Sequence, residues 1–77
     1  MEQITFEIKR KIAVLSPAKN GWQLEFNEVS WNGRKPNLEI RRWEANHARG
    51  RKGVVLSRSE AKELLKALRK ELADDSE

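Results

Sequence analysis

The chain has 77 residues, with 16 basic and 12 acidic side chains, a formal net charge of +4 and no cysteine. A chain this short buries only about 60% of the surface its unfolded form exposes, which argues against a large internal active-site cavity and directs attention to the surface. The absence of cysteine excludes a disulfide framework and thiolate chemistry, and no apolar run approaches the roughly 20 residues of a membrane-spanning helix.

The N-terminal "MEQITFEIKR" lacks the charged-then-apolar order of a signal peptide, so a single cytoplasmic domain over residues 1–77 is expected, with nucleoid association in keeping with its charge. From Phe6 to Val14 the residues alternate: Phe6, Ile8, Ile12 and Val14 fall on one side, and Glu7, Lys9 and Lys11 on the other. That is the period of a half-buried strand, with Arg10 breaking the apolar side at a bulge or a sheet edge. "SPAKNG" predicts a loop. Trp22, Leu24 and Phe26 continue the inward apolar set on a second strand. "NGRKP" predicts a second turn, after which Leu38 and Ile40 face inward while Glu39, Arg41 and Trp43 face outward. "EANHARGRKG" reads as a polar loop, and "VVL" as a short fourth strand.

"SRSEAKELLKALRKEL" predicts a helix. Ser57 and Glu60 have the spacing of a capping box, and Ala61, Leu64, Leu65, Leu68 and Leu72 make one apolar stripe. Residues 73–77 have no periodicity and read as a disordered tail. The expected fold is α+β: a four-stranded antiparallel β-meander followed by one C-terminal helix on one face, leaving the other face of the sheet uncovered.

That face should carry the function. Residues 34–52 hold seven basic side chains against Glu39 and Glu44, the footprint of a polyanion-binding surface. Tight hairpins would align Lys11, Asn27 and Arg41 in a row of donors. Trp31 and Trp43 would then stand about 20 Å apart along the same face, at about 3.3 Å per residue. Exposed indoles with cations between them suit a single strand, whose bases stack and whose phosphates pair with Arg and Lys. Glu7, Glu25 and Glu39 share the parity of this face and would repel phosphate. Trp22 is expected in the core.

Catalysis has no support in the sequence. His47 is the lone histidine and reads as a solvated loop residue, the carboxylates show no acid–base pairing, and "GRKG" is too short for a phosphate loop. No enzyme activity, metal or cofactor is expected.

"LEIRRW" followed by "RGRKGVVLSRSEAKELLKAL" resembles the C-terminal domain of the eukaryotic transcriptional coactivator positive cofactor four. "GW", "VSWNG" and the "IRRW" spacing are more similar still to its compact bacterial relatives, the YdbC-like proteins. The resemblance runs from about Phe6 to Leu72. It implies a homodimer of β-β-β-β-α protomers whose curved sheets hold single-stranded DNA, with the helices near the two-fold axis. It marks Trp31, Arg34, Arg41 and Trp43 as nucleic-acid-binding, with Arg51 and Lys52 in the Gly-Arg-Lys-Gly element. Lys9, Arg10 and Lys11 cover the basic contacts of the first strand, and Lys35 adjoins Arg34 in the turn. The chain has one residue fewer between Arg41 and Trp43 than the coactivator, and lacks its Ser/Lys-rich regulatory region.

The expected function is therefore single-stranded DNA binding with little sequence specificity, in transcription or DNA maintenance. Two alternatives stand beside it: a protein-interaction module of transcription or repair machinery, and single-stranded RNA binding.

Overall fold

The structure, a computed structural model, describes residues 4–73. Strands β1 (Phe6–Lys19), β2 (Trp22–Trp31), β3 (Asn37–Glu44) and β4 (Val54–Leu56) precede one helix, α1 (Arg58–Glu71). The strands form one antiparallel sheet in the order β1-β2-β3-β4, so the expected meander and helix are present. Residues 74–77, most of the expected tail, lie outside the described residues.

Both Asn-Gly pairs turn the chain. Asn20 and Gly21, with φ of 55° and 83°, make the two-residue hairpin between Lys19 and Trp22, and Asn32 and Gly33, with 53° and 72°, make a left-handed turn closed by Arg34 N–H on the Trp31 carbonyl. The first turn is shorter than expected, because "SPAK" belongs to β1 rather than to a loop. Pro17 is tolerated there because β1 is an edge strand, where a missing N–H need not break the ladder.

β1 departs further from its reading. Its pairing with β2 skips a residue at four places, between Ile8 and Arg10, Lys11 and Ala13, Val14 and Ser16, and Ser16 and Lys19. Each bulge resets the alternation. Phe6 and Ile8 therefore pair with Trp31 and Val29, Lys11 with Asn27, and Val14 with Glu25, and all share the face that carries Glu39, Arg41 and Trp43. Phe6, Ile8 and Val14 do not join Trp22, Leu24 and Phe26 as expected, whereas Lys11 lies opposite Asn27 as expected. Glu7 pairs with Ser30 and leaves the face assigned to it.

The β2–β3 register also differs from expectation. Arg41 lies opposite Glu25, and Asn27 opposite Glu39. The ladder starts at Val29 and Asn37, so the connection is longer than a tight hairpin. A two-residue shift preserves parity, so each side chain keeps its face while changing its neighbour.

The curled sheet buries the face expected to be open. Trp43, Val29, Asn27, Glu25 and Glu39 are all buried there. On the other side α1 lies near Leu15, Phe26, Ile40 and Leu56 through Ala61, Leu64, Leu65 and Leu68, yet no helix residue is buried. Leu65 and Leu68 remain 47% and 46% exposed. The helix itself is locally well made: Ser57 Oγ accepts from Glu60 N–H at 3.1 Å, and the Glu60 carboxylate accepts from Ser57 N–H at 2.8 Å. This is the expected capping box. No described helix is long and apolar enough to cross a membrane.

Candidate nucleic-acid interface

Alternation in β2 and β3 sends Gln23, Glu25 and Asn27, and Glu39, Arg41 and Trp43, to the concave face. The bulged β1 folds Phe6 over one end of it. The rings of Phe6 and Trp43 lie 5.0 Å apart, Phe6 and Trp31 5.2 Å, and Trp31 and Trp43 stack at 6.4 Å. The two indoles are thus one cluster, not two platforms about 20 Å apart. Curvature of the sheet closes the distance that a flat ladder would have left between them.

Trp43 is 0% exposed and packs against His47 on a further side. It lies on the expected face but is a core residue, and cannot itself stack on a base. Trp31 is half-buried and keeps one accessible portion. Arg41 stands over the Trp31 ring, its guanidinium carbon 4.8 Å from the centroid, a cation–π contact.

The acidic residues of this face are consumed internally. Glu39, 1% exposed, accepts from Arg41 Nε at 2.7 Å, from Arg41 Nη2 at 3.2 Å and from the Trp31 indole N–H at 2.8 Å. Arg41 also donates to the Arg51 carbonyl at 2.6 Å. Glu25 accepts from the side-chain amides of Asn27 at 2.9 Å and Gln23 at 2.8 Å, and both its oxygens lie within 3.0 Å of His47 Nε2. His47 is therefore a half-buried partner of a carboxylate, not a solvated loop residue. His47 has a left-handed backbone, φ 57°, and its backbone N–H donates to the Glu44 carbonyl at 2.9 Å.

Burial alone would raise the pKa of Glu25. The hydrogen bonds from Asn27, Gln23 and His47, together with the His47 charge, outweigh it and hold the carboxyl below its ordinary value. A carboxyl depressed on folding stabilises the fold fully above its unfolded pKa, and that contribution disappears as pH falls through the folded value. Urea unfolding should therefore show a Glu25 contribution that is lost as the solution is acidified below roughly pH 5. Glu25→Gln is expected to flatten this acid limb.

Gly50 and Gly53 fit the "GRKG" element against β3. A Cβ at Gly50 would lie 2.8 Å from Arg41 Cδ and 3.0 Å from the Trp43 ring, and one at Gly53 only 2.6 Å from the Ile40 carbonyl oxygen. Gly50 bridges to Trp43, and Arg51 N–H donates to the Arg42 carbonyl, so this supposed loop is tied along the strand. It sends Arg51 across to Trp22, with the guanidinium carbon 4.4 Å from the ring centroid. Trp22 is thereby a half-buried platform capped by a cation, not a plain core residue.

The remaining expected site residues are dispersed. Lys11, Arg34, Lys35 and Lys52 are exposed and make no ion pair among the described residues. Lys11 is on the concave face, and Arg34 and Lys35 follow the turn beside Trp31. Lys9 pairs with Glu7 at 2.9 Å, and Arg10 approaches Glu28 at 3.5 Å on the helix-bearing side. Missing from the sequence reading were Gln23, Glu25 and His47 as a linked unit. The same-face run Gln23, Glu25, Asn27 was the available signal.

No family model matches the chain. The chain is similar to an uncharacterized protein of Treponema pallidum (strain Nichols), 42% identical over 55 residues that make up 71% of this chain. The matched region spans 65% of that relative's length.

Proposed function

We propose that the protein binds single-stranded DNA with little sequence specificity, as a homodimer, in transcription or DNA-maintenance processes. The observation that carries this reading is the internal neutralisation of the concave face. Glu25 and Glu39 are buried under their own donors, so neither is presented to a phosphate. Lys11 on the concave face, and Arg34 and Lys35 in the turn beside the half-buried Trp31, meanwhile stay unpaired among the described residues. The objection that carboxylates would repel a polyanion from this face thereby loses its force. Trp31 offers the stacking surface, Arg41 and Glu39 fix its orientation, and Arg34 and Lys35 take phosphates. Arg51 over Trp22, with Lys52 beside it, supplies a second cation–aromatic unit at the sheet margin. The resemblance to the positive cofactor four family points the same way.

The apolar surface on the other side of the sheet supports the homodimer. The helix stripe and the half-buried Phe26 and Ile40 form an apolar surface that one protomer leaves incomplete, and a second copy offers the same surface in return.

Oligo-dT is expected to quench tryptophan fluorescence, with affinity falling as salt rises by a log–log slope of about −0.7 per phosphate contact. Trp31→Ala should weaken binding roughly 5- to 150-fold, the loss of one base stack. Equal affinity for duplex of the same length would overturn the proposal. Competition between dT and rU oligomers decides between DNA and RNA, since neither stacking nor phosphate pairing reads the sugar.

A further inference from the structure

Beside the aromatic cluster lies a hollow of about 370 Å³, lined by Lys11, Ile12, Val14, Gln23, Asn27 and His47, with the Glu25 carboxylate in its wall. Its volume falls within the roughly 300 to 1,000 Å³ of sites that take small ligands. Asn27 is 1% exposed, and its amide orientation is fixed by chemistry. The Glu25 carboxylate can only accept, so Nδ2 must face it, and Oδ1 is turned away. Oδ1 is buried and has no hydrogen-bond partner. A buried acceptor left unmade is costly, and native structures rarely keep one without a use for it.

Directly across the strand pair from Asn27 is Lys11, an exposed, flexible ammonium with no ion-pair partner among the described residues. The hollow therefore juxtaposes one fixed acceptor and one mobile donor. Every nucleobase carries an N–H donor next to an acceptor on its Watson–Crick edge: N3–H beside a carbonyl in thymine, N1–H beside a carbonyl in guanine, an amino group beside a ring nitrogen in adenine and cytosine. In a duplex that edge is occupied by the opposite strand.

We infer that Asn27 and Lys11 form a pocket that takes one unstacked nucleobase by its Watson–Crick edge, with the base N–H donating to Asn27 Oδ1 and Lys11 donating to the neighbouring base acceptor. This rests on the single-strand-binding reading and adds to it how paired DNA is refused. The pocket distinguishes an unpaired base from a paired one without distinguishing the four bases. Oδ1 is uncovered as the base enters, and the exposed Lys11 closes on it. His47 and Gln23 act through Glu25, which holds the Asn27 amide in place, and are positioning residues.

The test compares the full chain's affinity for a thymidine oligomer with that for an N3-methylthymidine oligomer of equal length, which keeps every phosphate and every stacking face. The expected result is at least about tenfold weaker binding of the methylated strand, the worth of a buried hydrogen bond left unmade. Lys11→Met, which retains the aliphatic stem, should weaken thymidine binding and narrow the gap between the two oligomers. Equal affinity of the unaltered protein for both oligomers would overturn the inference while leaving the single-strand reading intact. Failure of both oligomers to bind would overturn both readings.

Discussion

Trp43→Ala is expected to cost about 3 to 5 kcal/mol of folding stability, the usual range for emptying a buried aromatic site. Small domains have only about 5 to 15 kcal/mol in total, so the variant should be largely unfolded in modest urea. The magnitude follows from the position of the ring. It is 0% exposed and touches Phe6, Trp31 and His47, which belong to three different stretches of the chain. Removing it leaves a cavity where β1, β2 and the β3–β4 connection meet. Trp43→Phe should be much milder. The indole N–H is buried without a partner, so phenylalanine forfeits no hydrogen bond and loses only part of the packed volume. Urea denaturation of both variants, followed by far-UV circular dichroism, checks the order. Trp31→Ala should separate from both, with a binding defect larger than its stability defect. Comparable stability losses at Trp31 and Trp43 would contradict the division into a stacking ring and a core ring.

Leu65→Glu combined with Leu68→Glu is expected to convert the proposed dimer to a monomer of 9.0 kDa, read by sedimentation equilibrium. Both leucines are nearly half exposed in a helix that buries none of its residues. A carboxylate at either position is therefore well hydrated in a single protomer and strongly disfavoured in an apolar interface. An unaltered chain that already sediments as a monomer would remove the homodimer from the proposal. If binding requires both protomers, the double variant should also lose affinity for oligo-dT, although neither leucine is on the concave face.

Much of the fold was legible because its signals are local. The Asn-Gly pairs, the Ser57–Glu60 capping box, the helix stripe and the "VVL" strand each depend on a few adjacent residues, and all are present. The face assignments in β2 and β3 also survived, because parity is unaffected by a shift of two. β1 was misread for a physical reason: each bulge inserts a residue, so between Ile8 and Val14 the concave side recurs every three residues, at Ile8, Lys11 and Val14. Alternation in the sequence cannot show this, since the bulges arise from pairing with β2. The exposure of Trp43 was misjudged for a related reason. Facing away from the helix implies solvent only on a flat sheet, and this one curls until its far ends touch. Glu25 and Glu39 looked like obstacles to phosphate because their partners, His47 at 22 residues' separation and Trp31 at eight, are brought to them only by that curl.

The length of β1 sets the shape of the concave face. It spends 14 residues alongside the ten of β2, and the surplus of four equals the number of places where the pairing skips. At about 3.3 Å per residue, β1 carries roughly 13 Å more backbone than the neighbour it tracks. Like the outside lane of a running track, it is longer because the course bends. The radius of the concave face is thus recorded as a difference between two residue counts, and not in any one side chain. Substitutions within β1 can alter which side chains the concave face presents, whereas deleting a residue at one of the skips would change how tightly that face wraps.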